Sequence, residues 1–346
     1  MPVPELTSLR RLPKVSLHRH LEGSLRLSTL LAAARDYDLS LPRSAGALRP
    51  LVQIMPGEPR SAEVFLSKFR TLRQFFCSEA LIRQMAREAA ADAAEDGVRY
   101  LELRFTPVAL ANIMGCPFAD AIRWVCEETA AESARRGIQT RLIVSINRHE
   151  SVEQGASVFD AAFDFVDHGV AGADLAGREA GIDVCPFQPL FERARARGLG
   201  LTIHAGEWAG PESVRAALAC FEPERIGHGV RAAEDPALLN ELARRGIVLE
   251  VCPSSNVDSG VVASLAEHPL PRLLAAGVRV TLNTDDPALS GITLSDEFQR
   301  VLQHLPLTLA DLKRMTLVAA EAAFLPPGAR REMAEALREL LLEQDD

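Results

Sequence analysis

The sequence predicts an α/β fold built as a single (β/α)8 barrel, and two observations support this prediction. Eight short runs rich in aliphatic and β-branched residues alternate with longer helical patterns along the 346 residues. Polar residues that do not fit a core pattern come at the C-terminal ends of these runs. Strands separated by helices pair in parallel, and eight such units close most economically into a barrel. An open, doubly wound sheet is the alternative.

The strand candidates set the order of the chain. They are residues 15–20, 99–105, 140–146, 170–177, 201–204, 225–228, 247–251 and 278–283. Helical patterns cover residues 26–36, 61–95, 150–167 and 187–197, and the tail from 306 to 346. The stretch from about 22 to 98 is too long for one crossover helix, so it predicts a helical insertion over the barrel mouth, with a Pro/Gly-punctuated break at 42–60. No linker or repeat marks a boundary, so residues 1–346 are expected to form one domain.

Composition and charge narrow the class of protein. Apolar residues make up 47% and charged residues 25%, which is typical of a globular protein with a substantial core. The net charge of −9 argues against a nucleic-acid polymer as the main partner, because phosphate contacts need a basic surface. No signal sequence and no membrane-spanning run is found, so the prediction is a soluble cytoplasmic protein without a membrane partner. The sequence leaves open whether the chain forms a homo-oligomer.

The six cysteines show no pairing pattern. They lie at positions 77, 116, 126, 185, 220 and 252, and no two of them form a C-x-x-C pair. Scattered cysteines of this kind are typical of a reducing compartment. We therefore expect buried, reduced thiols and no disulfide framework.

Candidate functional side chains fall at the ends of the strands. His18 and His20 end the first strand, and residues two apart on a strand point to the same side, so these histidines should converge. The other candidates are His204 and Glu207 at the end of the fifth strand, His228 at the end of the sixth, and Asp285 and Asp286 at the end of the eighth. In a barrel all of these ends share one face, where active sites are built.

Three histidines and one carboxylate suit a zinc ion. The predicted ligands, for one zinc per chain, are His18, His20, His204 and Asp285. Zinc with an open coordination position lowers the pKa of a bound water towards neutrality, which predicts metal-assisted hydrolysis. Glu207, three residues past a ligand on a Gly-containing turn, is the predicted proton shuttle. His228 and Asp286 remain as a second base and a substrate anchor.

Each of these residues also has a purely structural interpretation. His204 alone is compatible with a core histidine, His228 lies between glycines that suit a tight turn, and Asp285-Asp286-Pro287 matches a helix N-terminus. Other catalytic motifs fit worse, since the sequence has no H-E-x-x-H, P-C-x-x-C or G-x-S-x-G and no phosphate or dinucleotide loop. The shared barrel face favours the metal site over the separate structural interpretations.

These residues resemble those of the adenosine deaminase family within the amidohydrolase superfamily. The resemblance runs in order along nearly the whole chain and rests on Val15-Ser16-Leu17-His18-Arg19-His20-Leu21-Glu22-Gly23, Tyr100-Leu101-Glu102-Leu103-Arg104-Phe105, Gly172-Ala173-Asp174-Leu175-Ala176-Gly177, His204-Ala205-Gly206-Glu207, Arg225-Ile226-Gly227-His228-Gly229, Cys252-Pro253-Ser254-Ser255-Asn256 and Asn283-Thr284-Asp285-Asp286-Pro287. It implies a one-zinc barrel that hydrolytically releases ammonia from a 6-aminopurine. By position, it implies that Glu207 protonates the ring nitrogen beside the attacked carbon. It further implies that His228 orients the attacking water and helps to deprotonate it, and that Asp286 and the Gly177 backbone contact ring nitrogens.

Two positions bear on which amine is removed. Adenosine-specific members usually carry Asp where this chain has Glu22, a position that contacts the ribose, and relatives that act on free adenine carry Glu. Arg19, between the two histidines, either packs in the barrel wall or binds a carboxylate on the substrate, as in 6-amino-6-deoxyfutalosine deaminase of menaquinone biosynthesis. The leading prediction is an adenosine or 2′-deoxyadenosine deaminase, with adenine and aminodeoxyfutalosine as alternatives. A non-catalytic purine-binding relative and a hydrolase of another amide or ester are the competing classes.

Overall fold

A computed structural model of the chain describes residues 3–342, and these contain a nearly closed barrel of eight parallel strands. Each strand pairs with the next one along the chain. The strands are β1 (Lys14–His20), β2 (Val98–Phe105), β3 (Gln139–Asn147), β4 (Val170–Ala176), β5 (Gly200–Ala205), β6 (Arg225–His228), β7 (Val248–Val251) and β8 (Arg279–Leu282). The predicted (β/α)8 barrel is confirmed. Every strand coincides with an apolar run bounded by turn residues. Such runs are apolar throughout because helices and the barrel interior cover both faces of a parallel strand.

The last strand meets the first one through residues that follow β8. The side-chain oxygen of Asn283 accepts hydrogen bonds from the backbone N–H groups of Leu17 (2.9 Å) and His18 (3.1 Å). Asp285 then donates its N–H to the His18 carbonyl at 3.0 Å and accepts the His20 N–H at 2.9 Å. The barrel is therefore joined at the point where β1 carries its two histidines.

Seventeen α-helices surround the strands within residues 3–342. They are α1 (Leu6–Arg11), α2 (Leu27–Asp36), α3 (Ala45–Val52), α4 (Ala62–Leu72), α5 (Glu79–Glu95), α6 (Pro107–Met114), α7 (Phe118–Arg136), α8 (Val152–Phe163), α9 (Gln188–Ala196), α10 (Pro211–Phe221), α11 (Pro236–Arg245), α12 (Pro253–Asp258), α13 (Leu270–Ala275), α14 (Pro287–Ser290), α15 (Leu294–His304), α16 (Leu309–Ala322) and α17 (Pro327–Leu342). Short 3₁₀ helices lie at Arg73–Phe75, Val166–His168, Cys185–Phe187, Val230–Glu234 and Leu265–Glu267. None of the helices in this part of the chain is long and apolar enough to cross a membrane.

The segment between β1 and β2 holds α2 to α5, and two of its details differ from the predicted ones. The Pro/Gly-punctuated stretch contains α3, with Pro50 inside it. The helical stretch predicted over 61–95 is broken, because the chain turns to bury Phe75 and Phe76 completely. A new helix then begins after Ser78, whose hydroxyl accepts the N–H of Leu81 at 3.1 Å, as expected of an N-cap. The single-domain organisation stays a prediction.

The inside of the barrel contains buried charges as well as aliphatic side chains. Arg225 on β6 donates to Glu250 on β7 (2.6 Å) and also to Glu102 on β2, and all three side chains are fully buried. The Arg225 guanidinium also lies 3.5 Å from the ring centroid of Phe324, which follows α16. Buried charges are tolerated only when they are paired and hydrogen-bonded. This network therefore ties four separate segments together across the barrel axis.

The prediction of six reduced cysteines is wrong at two positions. Cys185 and Cys220 form a disulfide with a Cα–Cα distance of 5.4 Å, joining the 3₁₀ helix before α9 to α10. The sequence separation of 35 hides this proximity, and neither side chain belongs to the buried core. The other four cysteines are free, and of these Cys126 and Cys252 are buried.

Glu297 on α15 is a buried carboxyl away from the strand ends. It accepts the backbone N–H of Ser254 at 2.7 Å and also the Ser254 hydroxyl. Burial outweighs these hydrogen bonds and raises the pKa of Glu297 from 4.5 to about 7. Because the native pKa lies above the unfolded one, the stabilisation from this group is complete below pH 4.5 and is lost as the pH rises through about 7.

We expect Glu297→Gln to remove this pH dependence while keeping the size and hydrogen bonds of the side chain. The free energy of unfolding is measured with urea for both proteins at about pH 5 and about pH 8. The value for the variant minus that for the wild type should rise by roughly 2–3 kcal/mol from the lower pH to the higher. Glu335→Gln, at an exposed position on α17, is the matched control and should show no such change. The same stability difference at both pH values would contradict the assignment.

Candidate active site

Four predicted residues converge at the C-terminal end of the barrel. Ligand atoms of His18, His204, His228 and Asp285 all lie within 4.8 Å of one another, and all four residues are buried. His20 lies beside them at the end of β1. Together with Glu22, Gly177, Glu207 and Asp286 they line one pocket of about 220 Å³, except that His18 lies just beneath it. The structure therefore brings together the residues that were predicted at the strand ends, whereas Arg19 lies elsewhere.

Two histidines point at the same carboxylate oxygen. Nε2 of His18 lies 3.1 Å from Oδ1 of Asp285, and Nε2 of His20 lies 3.2 Å from that same atom. The other oxygen of Asp285 accepts the Ser255 hydroxyl at 2.6 Å. The alternation of side chains along β1 thus produces the convergence that the H-x-H spacing predicted.

A buried carboxylate orients each of two histidines. Nδ1 of His18 lies 2.8 Å from Glu250, and Nδ1 of His204 lies 2.9 Å from Asp174. Burial opposes ionisation of Glu250, but Arg104 and Arg225 outweigh it and hold the pKa of that carboxyl well below its usual value. Since an ionised carboxylate only accepts, both histidines donate through Nδ1 and carry a lone pair on Nε2.

This arrangement fits a cation. The Nε2 lone pair of His18 faces Oδ1 of Asp285, and neither atom has a hydrogen-bond partner in the described part of the chain. Two acceptors at 3.1 Å repel each other unless a proton or a metal ion lies between them. Imidazole and carboxylate ligands, with a carboxylate behind His18 and another behind His204, are typical of zinc sites. The residues present therefore fit the metal that the sequence predicts.

His228 belongs to the same cluster, but its surroundings differ from those of His20. The side-chain amide of Asn256 lies 3.2 Å from Nδ1 of His228. Nε2 of His228 faces Glu207 at 3.6 Å and the second oxygen of Asp285 at 3.9 Å. The tight cluster of ligand atoms contains His228 and not His20, whereas His20 shares the unpaired Oδ1 of Asp285 with His18. The ligand set of His18, His20, His204 and Asp285 stays a prediction.

Two of these residues adopt strained backbone conformations. His228 has φ 59° and Asp285 has φ 62°, in the left-handed region that non-glycine residues seldom occupy. Gly227, just before His228, lets the histidines approach closely: a Cβ there would lie 3.1 Å from the His18 ring and 3.2 Å from His204, a tight contact that would push on both residues. Strain of this kind is found where side chains must be held for function.

Glu207 is held by a carboxylate that the sequence did not single out. Buried Glu179 accepts backbone N–H groups from residues 206 to 209, including those of Gly206 and Glu207 at 2.9 Å each. Burial raises the pKa of Glu207 well above its usual range, and the charges of Asp285 and Glu179 add to this effect. Glu207 is therefore a protonated acid on a rigid turn.

Asp286 and Glu22 form the acidic floor of the pocket. Burial, followed by the charges of Asp285 and Glu22, raises the pKa of Asp286 well above its usual range, so that it can donate a hydrogen bond. Glu22 accepts the Thr106 N–H at 2.7 Å through one oxygen, while its other oxygen is buried without a partner. Gly23 makes room for this floor, because a Cβ there would lie 1.8 Å from Asp286.

Arg19 does not reach this pocket, which corrects its assignment as a substrate contact. It alternates with His18 and His20, so its side chain leaves the other face of β1 and enters a separate cavity of about 740 Å³. There Nε donates to the Ser24 hydroxyl at 2.9 Å. The expectation that Arg19 packs in the barrel wall is the one that the structure supports. Gly177 does line the active-site pocket, with φ +89°.

Comparisons with known proteins identify the family of the chain. The family model for adenosine deaminase matches residues 13–340. The adenosine deaminase of Erwinia tasmaniensis is 40% identical over 289 residues, covering 83% of this chain and 86% of the relative. That of Serratia proteamaculans is 38% identical over 329 residues, covering 95% and 98%.

Solved structures give the same fold. The adenine deaminase of Arthrobacter aurescens has a TM-score of 0.87 at 28% identity, covering 95% of this chain and 98% of that one. A Burkholderia ambifaria amidohydrolase with bound Zn has a TM-score of 0.86 at 26% identity, covering 98% and 95%. The N6-methyl-AMP deaminase of Arabidopsis thaliana has a TM-score of 0.84 at 26% identity, covering 97% and 98%. By its sequence match over nearly its whole length, the chain belongs to the adenosine deaminase family of deaminating hydrolases.

Proposed function

We propose that this protein is a zinc-dependent aminohydrolase that converts a 6-aminopurine nucleoside, adenosine or 2′-deoxyadenosine, to the inosine-type product and ammonia. One observation carries the proposal: Nε2 of His18 and of His20 point at an unpaired oxygen of Asp285 in the pocket that also holds protonated Glu207. A metal-ligand set beside a neutral acid is what hydrolytic deamination requires. Curated relatives named adenosine deaminase at 36–40% identity support the choice of nucleoside.

His18, His20, His204 and Asp285 would hold one zinc ion. When bound, the ion would lower the pKa of a coordinated water towards neutrality. The protein residues around it then direct the proton movements. Asp285 accepts a proton from the attacking water and passes it to the leaving amine, which departs as ammonia.

Glu207 is the acid of the reaction. Its proton goes to the ring nitrogen beside the attacked carbon, which makes that carbon more electrophilic as the C–O bond forms. The second proton of the water later returns to Glu207 when the C–N bond has broken and the carbonyl forms. Burial, which raises the pKa of Glu207, keeps the proton available at neutral pH.

The remaining residues would orient the purine and its sugar. Protonated Asp286 donates to a ring nitrogen of the imidazole side, and the backbone of Gly177 contacts another ring nitrogen. The unpaired oxygen of Glu22 accepts a sugar hydroxyl. Free adenine remains an alternative because the solved adenine deaminase is a structural relative at 28% identity. Aminodeoxyfutalosine also remains an alternative, without the Arg19 contact.

A substrate panel tests the proposal directly. The purified, zinc-loaded protein is assayed for ammonia release from adenosine, 2′-deoxyadenosine, adenine and aminodeoxyfutalosine. We expect kcat/KM for a nucleoside to exceed that for adenine by about tenfold or more, because a buried, unpaired Glu22 oxygen is costly without a hydroxyl. A preference for adenine would overturn the nucleoside assignment. Tight purine binding without any ammonia release would favour a non-catalytic relative.

The roles of acid and ligand are separable by mutation. Glu207→Gln keeps the shape of the side chain but cannot protonate the ring, so we expect kcat to fall by roughly 10²-fold or more with zinc retained. His204→Ala should lose both zinc and activity, because it removes a ligand and leaves Asp174 buried without that partner. Zinc content by atomic absorption separates the two classes. Undiminished turnover in zinc-loaded Glu207→Gln would show that another group supplies the proton.

A further inference from the structure

Three arginines line the mouth of the active-site pocket. Arg70 lies in the last turn of α4, Arg73 begins the 3₁₀ helix that follows, and Arg178 comes directly after Gly177 at the end of β4. No carboxylate of residues 3–342 lies within the 4.0 Å ion-pair distance of any of the three guanidinium groups. Exposed Glu63 interacts electrostatically with Arg178 but forms no ion pair with it.

The side chains at the mouth differ in kind from the carboxyl groups of the floor. The floor is built from Glu22, Glu207, Asp285 and Asp286, and the whole chain carries a net charge of −9. Unpaired cations are therefore a local feature of this pocket. Arg73 gives the strongest indication of a ligand, because its Nε is buried without a hydrogen-bond partner. A buried donor of this kind lacks a partner that a ligand would supply.

We propose that the pocket mouth is a subsite for an anionic group on the part of the aminopurine substrate farthest from the reacting amine. The group is a phosphate or a carboxylate, both of which match the planar fork of a guanidinium. Phe65 and Phe69 of α4 line the pocket next to the arginines and supply an apolar wall for the uncharged middle of the ligand. This inference rests on the proposed function and narrows its substrate class.

Two ligands that differ only in charge test the subsite. Adenosine 5′-carboxylate and adenosine 5′-carboxamide have nearly the same shape, and adenosine 5′-monophosphate distinguishes phosphate from carboxylate recognition. We expect kcat/KM for at least one anion to exceed that for the carboxamide by roughly tenfold, and the ratio to shrink with added salt. In Arg73→Gln combined with Arg178→Gln the ratio should approach one.

The matched control is Arg35→Gln, an exposed arginine outside the pocket, which should keep the wild-type ratio. Equal kcat/KM for carboxylate, carboxamide and monophosphate, with adenosine still deaminated, would overturn the subsite and leave the proposed function intact. If no aminopurine is deaminated, the proposed function fails. The subsite is then tested by binding instead of turnover, as the dissociation constant for the carboxamide divided by that for each anion. A ratio of one for both anions overturns the subsite.

A separate chain of hydrogen bonds fixes the proton position on His228. The backbone N–H of Leu270 donates to Nδ1 of His268 at 3.1 Å, so the proton of neutral His268 lies on Nε2. That proton is donated to Oδ1 of Asn256 at 3.2 Å, and the Asn256 amide donates to Nδ1 of His228 at 3.2 Å. Each step follows from the one before, since a backbone N–H can only donate.

We infer that Asn256 and His268 are positioning residues that hold His228 as the Nε2–H tautomer. His228 then donates a hydrogen bond from Nε2 to the oxygen of the attacking water and keeps it as that oxygen becomes bonded to the attacked carbon. In this tautomer His228 accepts no proton at that atom, which departs from the expectation that it helps to deprotonate the water. The water proton goes to Asp285 instead, so protons still balance. Both Asn256 and His268 are buried.

Asn256→Asp tests this inference, because the isosteric carboxylate cannot donate to Nδ1. We expect the ¹⁵N shifts of His228 to exchange their pyrrole-type and pyridine-type positions, and kcat to fall by roughly tenfold or more with KM changed far less. His268→Gln keeps an N–H donor and should retain activity, whereas His268→Met should lose it. Asn240→Asp, at an exposed position on α11, is the control. A pyrrole-type Nδ1 in the wild type, or an unchanged kcat in Asn256→Asp, would overturn the inference.

Discussion

The buried carboxylate of Glu250 is the interaction on which the rest of the site depends. It accepts from Arg104, Arg225 and Thr202 and lies 2.8 Å from Nδ1 of His18. Removing one partner from a buried charge network is strongly destabilising, because the remaining charges stay desolvated. The network is therefore held in one arrangement, and this arrangement fixes the tautomer and ring direction of His18.

The same network reaches a second predicted ligand. Arg104 contacts Asp174 at 3.4 Å, and Asp174 in turn holds His204, so Arg104 connects the carboxylates behind both histidines. Arg225 anchors the opposite side by donating to the backbone carbonyl of Ala322 at the end of α16. Packing of a C-terminal helix is thus connected through buried charges to the direction of two imidazoles at the other end of the strands.

The sequence predicted those parts of the fold and site that depend on local pattern. Strand positions follow from short apolar runs, and convergence of His18 and His20 follows from the period of two along a strand. Glu250 could not be recognised, because it lies inside an apolar run and its role depends on an arginine 146 residues away. The chain from His268 through Asn256 to His228 is long-range in the same sense, as is the disulfide.

Three carboxyl groups in one pocket take different protonation states, and Asp285 accounts for the difference. Burial favours the neutral form of each, but His18, His20 and His228 surround Asp285 and hold its pKa well below the usual range. The resulting charge then adds to burial in raising the pKa values of Glu207 and Asp286. In the metal-free protein, burial and the ionised aspartate beside it together favour the protonated form of Glu207. Separation of pKa values among neighbouring carboxyls is a common way to obtain both an acid and a base at neutral pH. In this barrel the separation originates in the histidines that strands β1 and β6 direct towards one aspartate.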